Sequence, residues 1–238
     1  MNEQRCNRVM LSLRRNVEKL REYYVGLNPI AVGPSNMHPR FFPSVRAYND
    51  EKAKIVEFRY IKPLELDATC VAFLAETLTD SPKSVVVKFV QRYGDKAHRL
   101  LAEKNLAPQL LYFGKVGVQH GDPSYGHLSM VVVQYIDGMT LDNAKKIGRV
   151  PGTLVDQIKL ALQHLHTNTF VFGDLRPSNV MITKNEAVKL IDFDWAGTHQ
   201  ESRYPLLMSP LLRWPAAVEG LTIMDTGHDD DMLTRLLD

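Results

Sequence analysis

Asp174, Asn179 and Asp192 are the residues whose types and spacing bear chemistry in this chain. They flank the apolar run "VMITKNEAVKLID", in which two short strands enclose Lys184, Asn185 and Glu186, a turn composition that predicts a hairpin. A hairpin brings its ends together. Asn179 immediately precedes the first strand and Asp192 ends the second, so an amide oxygen and a carboxylate are expected to converge. Both are hard oxygen donors suited to Mg²⁺, which takes one or two protein carboxylates and completes its shell with waters and substrate phosphates. Asp174 lies five residues before Asn179 in the same loop, close enough to act on a nucleophile beside that metal. Each residue taken singly is also an ordinary turn former or strand end. Together around one hairpin, they imply phosphoryl transfer.

Several elements must position these three. The helix predicted from Thr153, with Asp156 three residues on as a box-like start signal, carries Leu154, Ile158, Leu162 and Leu165 on one face and leads into the loop. Ahead of it, "KIVEFRYI", "ATCVAFLAETL", "SVVVKFV", "QLLYFG" and "HLSMVVVQYI" have strand composition, and "LTDSPKS" reads as a turn, so a small antiparallel sheet is expected. A helix is predicted from about Asp95, as N-cap, to a stop at Pro108. At the start of the chain, Met10, Leu13, Val17, Leu20 and Tyr24 alternate in steps of three and four, which puts them on one helix face that needs a partner surface. The Pro-rich segment "NPIAVGPSNMHPRFFPS" then reads as a linker.

Composition removes several function classes. Twenty-nine basic against 27 acidic residues leave a net charge of +2 with no long basic block, so no nucleic-acid partner is expected. Two cysteines, Cys6 and Cys70, cannot build a disulfide framework, and the opening "MNEQRCNRVM" is too polar for a signal peptide, which predicts an intracellular, cytoplasmic chain. The apolar runs are far shorter than the roughly 20 residues of a membrane helix, so no membrane partner is expected.

The run Asp174-Leu175-Arg176-Pro177-Ser178-Asn179, followed by Asp192-Phe193-Asp194, resembles the catalytic loop and metal-binding motif of the protein-kinase-like superfamily. The forms "FGDLRPSN" and "DFDWAG...RYP" are most similar to the fungal protein-kinase-like group related to aminoglycoside phosphotransferases. The resemblance runs from about Ile55 to the C-terminus and is more specific in its second half. It implies a two-lobed α+β fold: an N-terminal helix and linker over 1–45, a small antiparallel-sheet N-lobe over 46–136, and a shortened, minimal or truncated helical C-lobe over 137–238. It also implies an ATP- and Mg²⁺-dependent kinase, with a protein serine/threonine acceptor favoured. A small-molecule kinase of the aminoglycoside or choline type, and a silent pseudokinase that only binds, are the rival readings.

By the same resemblance Asp174 is the catalytic base and Asn179 and Asp192 hold Mg²⁺. Arg176 balances charge on the transferred phosphoryl group, and Lys88 pairs the α- and β-phosphates. The backbone from Gln134 through Tyr135 to Ile136 receives adenine, and Asp229 anchors the catalytic loop from a buried helix. Four positions depart from the family pattern. No glycine occurs between Gly33 and Gly94, so the Gly-rich phosphate loop is missing; Phe172 stands where a histidine is usual; and Asp194 replaces a glycine. Lys96 occupies the position expected for the glutamate that holds Lys88, leaving Asp95 or Glu103 as its partner. Met232, Leu233, Leu236 and Leu237 give the last helix an apolar face for packing, and the resemblance expects further C-lobe helices to cover the opposite side, so some exposed apolar surface and a self-associating or poorly stable chain are expected.

Overall fold

A computed structural model describes residues 3–25, 42–65, 71–117, 127–209, 212 and 214–236. The chain divides into two units, Met1–Phe41 and Phe42–Asp238. In the first, helix α1 spans Glu3–Val25. Its stripe of Met10, Leu13, Val17, Leu20 and Tyr24 is exposed, and Arg14 pairs with Glu18 one turn on at 3.2 Å. Most of the predicted linker, along with Cys70 and Leu237, lies outside the described residues.

The second unit opens with a sheet. Its elements run β1 (Ala47–Asn49), β2 (Ile55–Pro63), β3 (Ala72–Thr77), β4 (Ser84–Val90), helix α2 (Asp95–Glu103), β5 (Leu110–Lys115) and β6 (Ser129–Gln134). The six strands are antiparallel in the order β1-β2-β3-β4-β6-β5. Period-two alternation sends Val85 and Val87 of β4 into a core with Phe58, Ala75, Met130 and Val132. The same alternation turns Lys88 to the opposite face, where it sits in register between Ala72 and Val131.

The remainder is helix-rich. It runs β7 (Gly138–Thr140), α3 (Leu141–Lys146), α4 (Leu154–Thr167), β8 (Phe170–Val171), a 3₁₀ turn (Pro177–Asn179), β9 (Val180–Thr183), β10 (Val188–Leu190), β11 (Gly197–Thr198) and α5 (Thr226–Leu236). One apolar core collects Leu101 of α2, Ile158, Leu162 and Leu165 of α4, the aromatics Phe172 and Phe193, and Met232, Leu233 and Leu236 of α5. The α+β class and the six-stranded antiparallel sheet agree with a protein-kinase-like fold.

Two helix boundaries differ from expectation. Helix α2 ends at Glu103, well before Pro108, because Asn105 takes a left-handed φ of 60° and the N–H of Leu106 returns to the carbonyl of Leu101. Its N-cap is Gly94, with Asp95 already in the first turn. Thr153 does cap α4 by position, but its hydroxyl accepts from Gln157 Nε2 at 2.9 Å rather than from the helix backbone, so no capping box with Asp156 forms.

Candidate active site

The site is assembled on the β9–β10 hairpin. Val180 pairs with Leu190 and Ile182 with Val188, and the turn is closed by Glu186, at φ 60°. Beyond the last pair, the N–H of Ile191 donates to the carbonyl of Asn179 at 2.9 Å. Asn179 and Asp192 therefore sit at the same end. Asn179 Nδ2 donates to the Asp174 backbone carbonyl at 3.0 Å and to Asp174 Oδ2 at 2.8 Å, which locks the loop around the 3₁₀ turn. Asp192, in a left-handed conformation at φ 67°, places its Oδ1 2.6 Å from Lys88 Nζ. That ion pair joins residues 104 apart in sequence and ties the sheet to the hairpin.

The loop carrying Asp174 is held from below by α5. Asp229 is fully buried and accepts the N–H groups of Phe172 and Gly173, both at 2.8 Å, with His166 Nε2 at 3.0 Å. Anchoring of the loop by Asp229 is thus present in the geometry. Gly173 is required here: φ is +79°, and a Cβ would meet Met224 Cε at 2.4 Å. Phe172, where a histidine is usual, is buried and packs edge-on against Phe193 at 5.2 Å. Phe193 stacks in turn on His98 of α2 at 4.4 Å. Three rings thereby link α2 to the loops bearing Asp174 and Asp192.

Burial sets the electrostatics. Desolvation raises the Asp174 carboxyl to about 7, with Arg176 and the Asn179 amide opposing the rise and Asp192 adding to it. Desolvation would raise Asp192 as well, but its contact with Lys88 outweighs that and holds it below the usual carboxylate range. Asp194 is raised by burial and by the neighbouring Asp192 charge. Lys88 is desolvated, yet the two aspartates at 2.6 and 2.8 Å keep its ammonium above the ordinary value.

Of the residues predicted from sequence, the structure brings Lys88, Asp174, Asn179 and Asp192 together. Arg176 joins them, with Nε 3.2 Å from Asp174 Oδ2, although that approach lacks hydrogen-bond geometry. Gln134, Tyr135 and Ile136 lie apart, where β6 ends beside the start of β4. The Gln134 and Tyr135 N–H groups donate to the carbonyls of Gln109 and Ser84. Among the described residues Ile136 makes no backbone hydrogen bond. Neither Asp95 nor Glu103 pairs with Lys88; Asp194 does, with Oδ2 at 2.8 Å. Sequence reasoning noted Asp194 only as a departure from the family's glycine and missed this contact. It also missed His98, which stacks on Phe193, and His166, which meets Asp229, both contacts between segments distant in sequence.

The sequence model of the protein kinase domain family matches residues 125–212, a span that contains Asp174, Arg176, Asn179 and Asp192 but not Lys88. Serine/threonine-protein kinase PknG of Mycobacterium leprae is 31% identical over 134 residues, half of this chain and 17% of that protein. A protein named "Probable cAMP-dependent protein kinase catalytic subunit" from Encephalitozoon cuniculi is 25% identical over 188 residues, 75% of this chain and 57% of that one. Serine/threonine-protein kinase PknB of Mycolicibacterium smegmatis is 38% identical over 73 residues, 29% of this chain and 12% of the relative. The chain resembles protein kinases. Each match spans less than two thirds of the relative's own length.

Protein kinase domains use ATP with Mg²⁺, and the residues present fit that pair. Among the described residues, Asp174 Oδ1 is buried without a hydrogen-bond partner, and Asn179 Oδ1 accepts only the Ser178 hydroxyl, at 3.2 Å. Among the described residues no cluster of three or more His, Cys, Asp or Glu could hold a metal by itself. Such a donor set suits an ion that completes its shell with phosphate and water. Among the described residues, no helix is long and apolar enough to cross a membrane.

Proposed function

We propose that this chain is an ATP- and Mg²⁺-dependent phosphotransferase that moves the γ-phosphoryl group to a hydroxyl, with a protein serine or threonine as acceptor. The observation that carries this reading is the convergence of Lys88, Asp174, Asn179 and Asp192 on one end of the β9–β10 hairpin. Asn179 and Asp192 are the metal ligands, and Mg²⁺ when bound supplies charge neutralisation on the phosphates. Lys88 holds the α- and β-phosphates. Asp174 orients the acceptor hydroxyl and takes its proton as oxygen forms its bond to phosphorus and the β–γ bridge oxygen leaves with ADP. Arg176, two residues beyond, faces the charge carried on the group in transfer. For adenine, the Gln134–Ile136 connection offers the Ile136 backbone, which no other backbone group engages among the described residues.

The kinase names of the relatives support the serine/threonine acceptor. A finer placement with the fungal group related to aminoglycoside phosphotransferases rests on the forms "FGDLRPSN" and "DFDWAG" alone. The division into lobes at 136/137, an intracellular location and self-association of the chain belong to the same reading. The test is calorimetry with ATP, with and without Mg²⁺, followed by turnover against a peptide and metabolite panel. Mg²⁺-dependent binding with transfer to peptides is expected. Equal affinity in excess chelator, or no binding in either condition, overturns the reading. Binding without transfer to any acceptor identifies the silent binding module instead.

A further inference from the structure

We propose that Asp194 is the positioning residue for Lys88, in place of a carboxylate from helix α2. The inference rests on the phosphate-binding reading of Lys88 above. Lys88 Nζ is held by two carboxylates, Asp192 Oδ1 at 2.6 Å and Asp194 Oδ2 at 2.8 Å, and its side chain is largely buried. If Asp192 is a metal ligand, its charge is shared between lysine and ion. Asp194 is then the contact that remains dedicated to the lysine.

Helix α2 cannot supply that contact at its start. Its N-cap Gly94 sits so close to the segment after Asp194 that an added Cβ would lie 2.6 Å from both the Cβ and the carbonyl oxygen of Ala196. Its N–H is committed to the Phe193 carbonyl at 2.9 Å. This tight seam excludes any side chain at 94. In the first turn, Asp95 makes no pair with Lys88 and Lys96 carries the wrong charge; Glu103 is exposed at the far end of the helix. The seam that rules out a side chain from the helix also fixes the backbone on either side of Asp194, Phe193 through its carbonyl and the ring stack with His98, and Ala196 through packing. Asp194 is thereby presented to Lys88 from a rigid support, as a positioning contact requires.

A double-mutant cycle between Asp194→Asn and Lys88→Met tests this, read in two ways. The first is stability to urea of the nucleotide-free protein. The second is calorimetric affinity for ATP in the presence and absence of Mg²⁺. A positioning role predicts that Asp194→Asn weakens ATP binding about tenfold even without Mg²⁺, on the scale of one charge-assisted hydrogen bond. It also predicts no further loss when Lys88→Met is already present, and near-normal affinity in Asp194→Glu. Strict additivity of the two substitutions in ATP affinity overturns it. So does an Asp194→Asn effect confined to the Mg²⁺ concentration needed for half-saturation, which marks a metal ligand. Should the unaltered protein bind no ATP, the phosphotransferase reading fails separately, and the stability cycle decides the contact: coupling between positions 88 and 194 supports it, independence overturns it.

Discussion

Replacing Asp229 with alanine removes the support beneath the Asp174 loop. Its carboxylate is fully buried, receives two backbone N–H groups at 2.8 Å, and has His166 Nε2 at 3.0 Å. A buried donor stripped of its acceptor costs about 1–3 kcal/mol. With both the Phe172 and Gly173 donors orphaned, the expected loss is about 3–5 kcal/mol, the range for breaking a buried charged pairing. Met232, Leu233 and Leu236 stay in the core and keep α5 docked, so the fold survives while the loop loosens. For a unit of this size each kcal/mol shifts the thermal midpoint by roughly 2–4 °C, which gives a fall of about 10 °C. Asp229→Asn retains one oxygen but turns an NH₂ toward the other N–H, and should cost about half as much. Urea denaturation followed by Trp195 and Trp214 fluorescence measures the loss, and hydrogen exchange at the Phe172 and Gly173 amides localises it. A loss under about 1 kcal/mol with both amides still protected would refute the anchoring role.

His98 gives a pH dependence. Its Nε2 must donate to the Pro108 carbonyl, an acceptor only, so in the neutral ring Nδ1 accepts from the Tyr93 hydroxyl. Burial lowers its pKa from 6.5 to about 4. The unfolded chain therefore binds the extra proton first: this contribution is complete above pH 6.5 and is lost as pH falls toward 4, by about 3 kcal/mol in all. The difference in stability between the natural protein and His98→Phe, followed from pH 7.5 to 4, should change by that amount; a flat difference contradicts it. Leu233→Asp, which puts a carboxylate in the helical core, should cost about 3–5 kcal/mol in the same urea assay, and an unmoved midpoint would make α5 a loosely attached tail. Asp192→Asn should weaken ATP binding about 10- to 100-fold in the presence of Mg²⁺, with calorimetry in excess chelator showing a smaller effect; equal losses in both conditions would remove Asp192 from the metal.

The hairpin was legible because its signals are local. Alternation over "VMIT" and "VKL", with a turn between, fixes the register that makes Asn179 and Asp192 neighbours. Five of the six sheet strands were legible for the same reason, β1 being too short to show a pattern, and the loop anchor at Asp229 followed from the resemblance to the protein-kinase-like superfamily. What escaped depends on contacts between distant segments. The Lys88–Asp194 pair joins the middle of a strand to a loop over a hundred residues later, and no periodicity reports it. Gly94 reads as an ordinary helix-preceding glycine until Ala196 is seen against it. The end of α2 was misplaced because Pro108 is a strong stop signal, whereas Asn105 stops the helix earlier by adopting a left-handed turn that other residues rarely take.

The arrangement of the site stands or falls with phosphoryl transfer in which Asp174 is the base. Transfer of the γ-phosphoryl group from ATP to peptide hydroxyls, measured with Mg²⁺ for the natural chain and for Asp174→Asn, tests it most directly. Turnover is expected in the natural chain, with a fall of about 10²- to 10⁴-fold in the variant and nearly unchanged ATP affinity in both. Full turnover by Asp174→Asn in a chain that is demonstrably active would contradict it.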